Sequence, residues 1–234
     1  SQPRWEWNLE PDTVPSIEWI VPTDDQVVTA TAEVELAAEY HDDLGLVEVW
    51  LEGRLSRTGE VVDLERTSLP GDDMSLERRW EGRVQAMWGE ATVLEIDDVI
   101  ELVAVARDTS GQRGESTLRR LRIVDVAEMQ SRIEKARSDA IEQLRQALEQ
   151  QRVANEQAEA AASRLSGDES DRRAAEDRLR AALTNQRAAQ RHLNEGSESA
   201  WERLDAAVEM ATQNGLSAGE LGSLQDEVQR LATE

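Results

Sequence analysis

The chain changes its hydrophobic period once, near Asp125, and that change constrains the fold more than any other feature. Ahead of it, apolar residues alternate with polar ones, as in a strand with one buried face. Beyond it there is no proline, and Ala, Glu, Gln, Leu and Arg dominate, which favours helix. The 234 residues are therefore expected to form an all-β part, residues 13–126, and an all-α part, residues 127–234, with residues 1–12 as an N-terminal flap.

The alternating stretches are residues 16–22, 26–40, 46–51, 60–65, 76–87, 99–107 and 116–126. Turn signals separate them at Asp24-Asp25, Asp43 to Gly45, Pro70 to Asp73 and Ser110-Gly111. About seven short strands in ~110 residues fit a β-sandwich of the immunoglobulin kind. The chain has no Phe, and six of its seven tryptophans lie ahead of Asp125, Trp5 and Trp7 in the flap and four in the β part. Trp19, Trp50, Trp80 and Trp88 are expected to supply the aromatic core volume, with Trp50 at its centre.

The second part predicts four helices, at about residues 127–165, 169–194, 199–214 and 217–232. Ser166 to Glu169, Ser199 to Glu202 and Ser217 to Glu220 each match the S-x-x-E capping box, and Gly196 and Gly215 sit where C-terminal caps belong. Ile141, Leu148, Asn155 and Ala162 fall seven apart, as do Leu144, Gln151, Ala158 and Leu165. Together they predict a coiled-coil seam rich in small and polar residues, continued across a hairpin by Gln186 and Leu193. A turn near Asp168 would set Gln151 against Gln186 and fix the register. In the alternative, the helices run on as one rod and take partners from a second chain.

The stretch "EYHDDLGLVEVW", residues 39–50, sets a histidine beside two aspartates, ahead of a glycine and an alternating apolar run. In an immunoglobulin-type sandwich Asp42 and Asp43 share an end with Asp108, and three carboxylates there could hold calcium. The competing reading is a turn, in which aspartates accept bonds from nearby amides and Gly45 supplies a left-handed backbone. Asp24-Asp25 and Asp97-Asp98 gather at the opposite end. His41 reads as a strand-end residue, since no nucleophile or glycine-rich cradle accompanies it.

Composition narrows the function classes. A net charge of −23 disfavours nucleic acid and anionic membrane surfaces. It divides into 28 acids and 12 bases in residues 1–125 and 21 acids and 14 bases in residues 126–234. There is no cysteine and only two histidines, which rules out disulfides and thiolate sites and disfavours multi-histidine metal centres. No apolar run is long enough to span a bilayer.

The order "IEWIVP", "DDLGLVEVWL", "DDVIELVAVARDTSGQRGES" and "RIVDVAEMQSRI" resembles a family of large bacterial envelope proteins. Their membrane-anchored N-terminal part leads into an immunoglobulin-like domain with an aspartate-aspartate-aromatic-glycine-leucine signature, then a long Gln- and Ala-rich coiled coil. Their genes often lie beside MoxR-type ATPases. "LTNQRAAQRHL" is similar to the family's helical glutamine motif, whereas Leu44 departs from its usual aromatic. The resemblance implies a soluble piece of a membrane-anchored protein on the periplasmic side. The expected role is a non-enzymatic scaffold or protein-interaction module, with partners or self-association through the helices. The alternative is a calcium-dependent or carbohydrate-binding sandwich in which Trp5, Trp7 or Trp88 stack on the ligand.

Overall fold

The computed structural model describes residues 11–89, 92–164, 169–194 and 200–216 (side chains of 190, 192–194 and 200–202 excepted). The chain divides into two compact units, Ser1–Val126 and Ala127–Glu234.

The described residues of the first unit form one seven-stranded sheet that curls on itself. Its strands are β1 (Ser16–Val21), β2 (Gln26–Thr29), β3 (Glu33–Leu55), β4 (Val61–Arg83), β5 (Val99–Asp108), β6 (Arg113–Glu115) and β7 (Arg119–Val124). A single helical turn, α1 (Val84–Met87), follows β4. The strand order is β1-β3-β5-β7-β2, with β4 on the far side of β3 and β6 beside β5. All pairings are antiparallel except β2 with β7.

The expected short strands at residues 46–51, 60–65 and 76–87 are not separate. They belong to β3 and β4, each 23 residues long and joined in a hairpin whose turn is closed by the Leu55 N–H on the Glu60 carbonyl (2.9 Å). β3 changes neighbours midway. Its first half, through His41, pairs with β1, and from Leu46 onward it pairs with β5. β4 follows β3 along the other side throughout. The two halves of the hairpin therefore belong to two layers. Leu36, Tyr40 and Trp80 of one and Val49, Leu51, Ile100, Leu102 and Ile123 of the other belong to one buried cluster. Each such aliphatic side chain stabilises the fold by about 1.5–3 kcal/mol relative to exposure. At the β1 edge the layers are tied by Trp19 Nε1–H donating to the Thr117 carbonyl (2.7 Å) and Arg119 Nε–H to the Pro22 carbonyl (3.2 Å).

The second unit contains α2 (Val126–Ala162), α3 (Glu169–Asn194) and α4 (Ala200–Gln213). The expected helix at residues 217–232 lies outside the described residues, as do the serines of all three capping boxes and Gly196. The α4 C-terminus can be read in full. Gly215 has φ +65°, the Gly215 N–H donates to the Thr212 carbonyl (3.1 Å), and the Leu216 N–H donates to Ala211 (3.0 Å). That is a Schellman cap, with glycine in the left-handed position.

Asn185 Nδ2–H donates to Gln157 Oε1 at 3.2 Å. Along a straight helix their separation would be roughly 40 Å at 1.5 Å per residue, so α3 folds back on α2. Arg203 Nη1 lies 3.7 Å from Asp139 Oδ2 and ties α4 to α2.

The interior line of these helices differs from the expected one. Buried positions recur at Ile133, Ala140, Ala147, Ala154 and Ala161 in α2, and at Ala175, Ala182 and Ala189 in α3, always seven apart. Ile141 and Leu144 are buried beside that line, but Leu148 is 39% exposed. Gln151 is half-buried and Gln186 exposed, and the cross-helix amide bond is made by Gln157 and Asn185 instead. Leu193 lies in the last turn of α3, and its side chain is outside the described residues. The physical reason is size. A row of methyl groups lets two backbones approach closely, so alanines take the innermost row while Leu148, Leu179 and Leu183 turn outward.

Candidate functional site

Three places in the β unit concentrate polar chemistry. The first is the bend in β3. Between His41 and Leu46 the pairing register shifts, and Gly45 takes φ +115°. Asp42 Oδ2 accepts from the amides of Leu44 (3.0 Å) and Gly45 (2.6 Å). A Cβ on Gly45 would collide with the Gly71 carbonyl on β4, so both strands bend at one matched place. The motif is thus a bulge inside one strand, where the sequence suggests a reversal.

The three aspartates have separate duties. Asp43 Oδ1 accepts from the Thr13 amide and hydroxyl (3.4 and 2.9 Å), and these bonds hold its carboxyl below the ordinary range. Asp108, fully buried, accepts through Oδ1 from Ser110 Oγ (2.9 Å) and the Gln112 amide (2.7 Å), closing the β5–β6 turn. Gln112 Nε2 reaches Asp12 Oδ2 at 2.7 Å. Among the described residues, no group of three acidic or histidine side chains is gathered as a metal-ligand set. His41 is exposed beside Glu39, with Nε2 at 3.2 Å from Oε1.

At the opposite end Asp98 is 4% exposed and accepts from Arg57 Nε (2.8 Å) and from the Glu95 amide (2.8 Å). The Arg57 bond, opposed by burial, lowers the Asp98 carboxyl below its usual range. Asp97 has φ +67° and binds Arg122 at 3.0 Å, and Asp25 accepts from the Arg120 amide at 2.9 Å. These acids secure turns.

The second place surrounds Trp50. The indole is buried but lies on the sheet face opposite Val49 and Leu51, outside the main core cluster. Three guanidinium groups cover it: Arg66 at 4.1 Å from the ring centroid, Arg113 at 5.5 Å and Arg107 at 5.9 Å. Glu48 binds both Arg66 (3.1 Å) and Arg107 (3.4 Å), and Arg113 Nη2 lies 2.9 Å from both Glu52 and Glu115. Trp50 is thus a buried anchor beneath a charge-neutralised arginine cover, rather than the centre of the interlayer core.

The third place is between the layers on the β4 side. A cavity of about 320 Å³ is walled by Leu36, Leu51, Val62, Leu64, Trp80 and Met87. On the same hairpin Arg78 Nη2 donates to Thr67 Oγ1 at 3.0 Å, and Tyr40 packs edge-on to Trp80 with ring centroids 6.5 Å apart, and of these four residues Trp80 lines the cavity. Burial raises the Tyr40 phenol well above its ordinary value, with the Arg78 charge opposing. The spacing Leu76, Arg78, Trp80 carried a signal for this place, because an arginine on an apolar strand face is an anomaly. Trp88 is 5% exposed, so it offers no stacking surface, and Trp5 and Trp7 lie outside the described residues.

No protein-family model matches this chain, and no curated protein matches it. Solved structures share distant features. OgpA from Akkermansia muciniphila is 8% identical, with a TM-score of 0.33 over 48% of this chain and 29% of that one. A Niemann-Pick type C2 protein from the Japanese carpenter ant is 11% identical, with a TM-score of 0.30 over 48% of this chain and 90% of its own. Astrotactin-2, described as a vertebrate-specific perforin-like membrane protein, is 14% identical, with a TM-score of 0.27 over 87% of this chain and 36% of its own. At such scores none of the three bears on the function of this chain.

Proposed function

We propose that this chain is a non-enzymatic scaffold and protein-interaction module of a bacterial envelope protein, working on the periplasmic side. In this reading the β unit is an immunoglobulin-like sandwich that presents a binding face, and the helices are a coiled-coil spacer and assembly surface. The observation that carries it is the inversion in the helical unit. Alanines occupy the buried row while Leu148, Leu179 and Leu183 stand 39%, 40% and 48% exposed. Exposed leucines on helices of this length are available to a protein partner or a second copy. No described helix is long and apolar enough to cross a membrane, so any membrane attachment in this reading comes from other segments.

The test is the mass of the full chain by light scattering across a concentration series, with cross-linking. Association that is lost in a Leu148→Glu, Leu179→Glu, Leu183→Glu variant of unchanged helicity is the expected result. A wild-type chain that stays monomeric and yields no cross-linked species at any concentration contradicts the assembly role.

A further inference from the structure

Among the described residues β4 pairs with β3 alone, so its other edge carries unpaired main-chain N–H and C=O groups. Such an edge is a template for a further strand unless something blunts it. Near the bend, Pro70 and the register shifts of the hairpin interrupt this edge. The second half is regular. From His41–Ser75 to Glu33–Arg83 the β3–β4 register runs without a shift, and residues 75–83 contain no proline. The core is thinly covered here as well. Leu76 and, in the other layer, Val62 and Leu64 are only partly buried against it, and Trp80 and Met87 wall the cavity between the layers.

The outer face of this stretch alternates in sign. Glu77, Arg79, Glu81 and Arg83 occupy every second position and are exposed. Set antiparallel to itself about Trp80, the stretch is self-complementary. Glu77 falls opposite Arg83 and Arg79 opposite Glu81, and two-fold symmetry repeats each pair. A two-fold at Arg79 or at Glu81 would bring like charges together, and one at Arg78 would leave Glu81 opposite Ser75. On the inner face the register about Trp80 sets Arg78 against Gly82, beside which an added Cβ meets nothing within 4 Å. Within one chain Glu81 lies directly opposite Glu35 of β3 and, among the described residues, has no ion pair. Arg79 already binds Glu35 and Glu77, and Arg83 binds Glu33. Glu81 is thus the acid that lacks a cation until a second chain supplies one. We propose that a second copy of this chain pairs antiparallel along residues 77–83 of β4, about a two-fold axis at Trp80, with Arg79 of each copy on Glu81 of the other. Such a ladder is about 24 Å long at roughly 3.4 Å per residue, and it buries less than the roughly 1,000 Å² that a specific interface needs by itself. The contact therefore rests on the assembly reading above: the helices bring copies together, and the strand edges then meet at high effective concentration.

Sedimentation equilibrium of the full chain tests the pairing by charge reversal. Arg79→Glu alone and Glu81→Arg alone each set like charges opposite one another twice, and each is expected to weaken self-association about tenfold. An equimolar mixture of the two variants brings opposite charges together again in the mixed dimer and returns association to the wild-type level, which a misfolded variant cannot do. Wild-type association that neither reversal changes, or a mixture that associates no better than its components, overturns the proposal. The Leu148→Glu, Leu179→Glu, Leu183→Glu variant separates the two readings. If it associates as wild type does while the reversals still act, the strand pairing stands and the helical surface is wrong. A wild-type chain that stays monomeric overturns both.

Discussion

The two units solve the same problem with opposite materials. The β unit buries Trp, Tyr, Leu and Ile contributed by strands far apart in sequence, and it secures the β3 bend and two of its turns with Asp42, Asp98 and Asp108. The helical unit buries a row of alanines, and its described ion pairs lie mostly three or four residues apart on exposed surfaces. The comparison shows where stability is concentrated. In the β unit single residues carry large shares. In the helical unit many small, repeated terms add up, and no single residue matters much.

The sharpest way to break this comparison is at Trp50. Trp50→Ala removes a buried indole and the platform for three arginines, and it is expected to cost about 4 kcal/mol, read as a fall in the denaturant midpoint of the near-ultraviolet dichroism. Next comes Gly45→Ala, where a left-handed backbone and the Gly71 carbonyl oppose any side chain. A loss of about 3 kcal/mol in the same transition is expected, with helical ellipticity at 222 nm retained.

Asp98→Asn is a smaller and pH-dependent case. The Asp98 carboxyl is held below its unfolded value, chiefly by Arg57, so its contribution is present above the unfolded pKa and lost as pH falls through the folded one. With half-exposed Arg57 partly screened by solvent, wild type should exceed the variant by about 1 kcal/mol at pH 7. Thermal melts of the two should converge below about pH 4. The smallest effect belongs to the helices: Ala154→Gly should lower only the 222 nm transition, by about 1 kcal/mol.

The switch of period, the inward alternation of β5 and the extent of α3 were legible because each is a local pattern of side chains. The fusion of β3 and β4 was not. Asp42 to Gly45 and Pro70-Gly71 carry the same residue types whether a chain reverses or merely bends, and only the close approach of Gly45 to Gly71 distinguishes the two. The burial of Trp50 was legible, but alternation alone does not say which face of a sheet the core occupies. The heptad spacing of α2 was legible, but spacing alone does not choose between the row of Ile141 and Leu148 and the row one residue earlier, Ala140, Ala147 and Ala154, all of which are buried.

Native-state hydrogen exchange, read amide by amide, tests the contrast most directly. The account predicts that the amides of Leu36, Leu51 and Ala104 exchange only through one shared, high-energy opening, while α2 amides exchange through graded, lower-energy openings that rise toward Ala147 and Ala154. Equal protection in both units, lost in a single common opening, would contradict it.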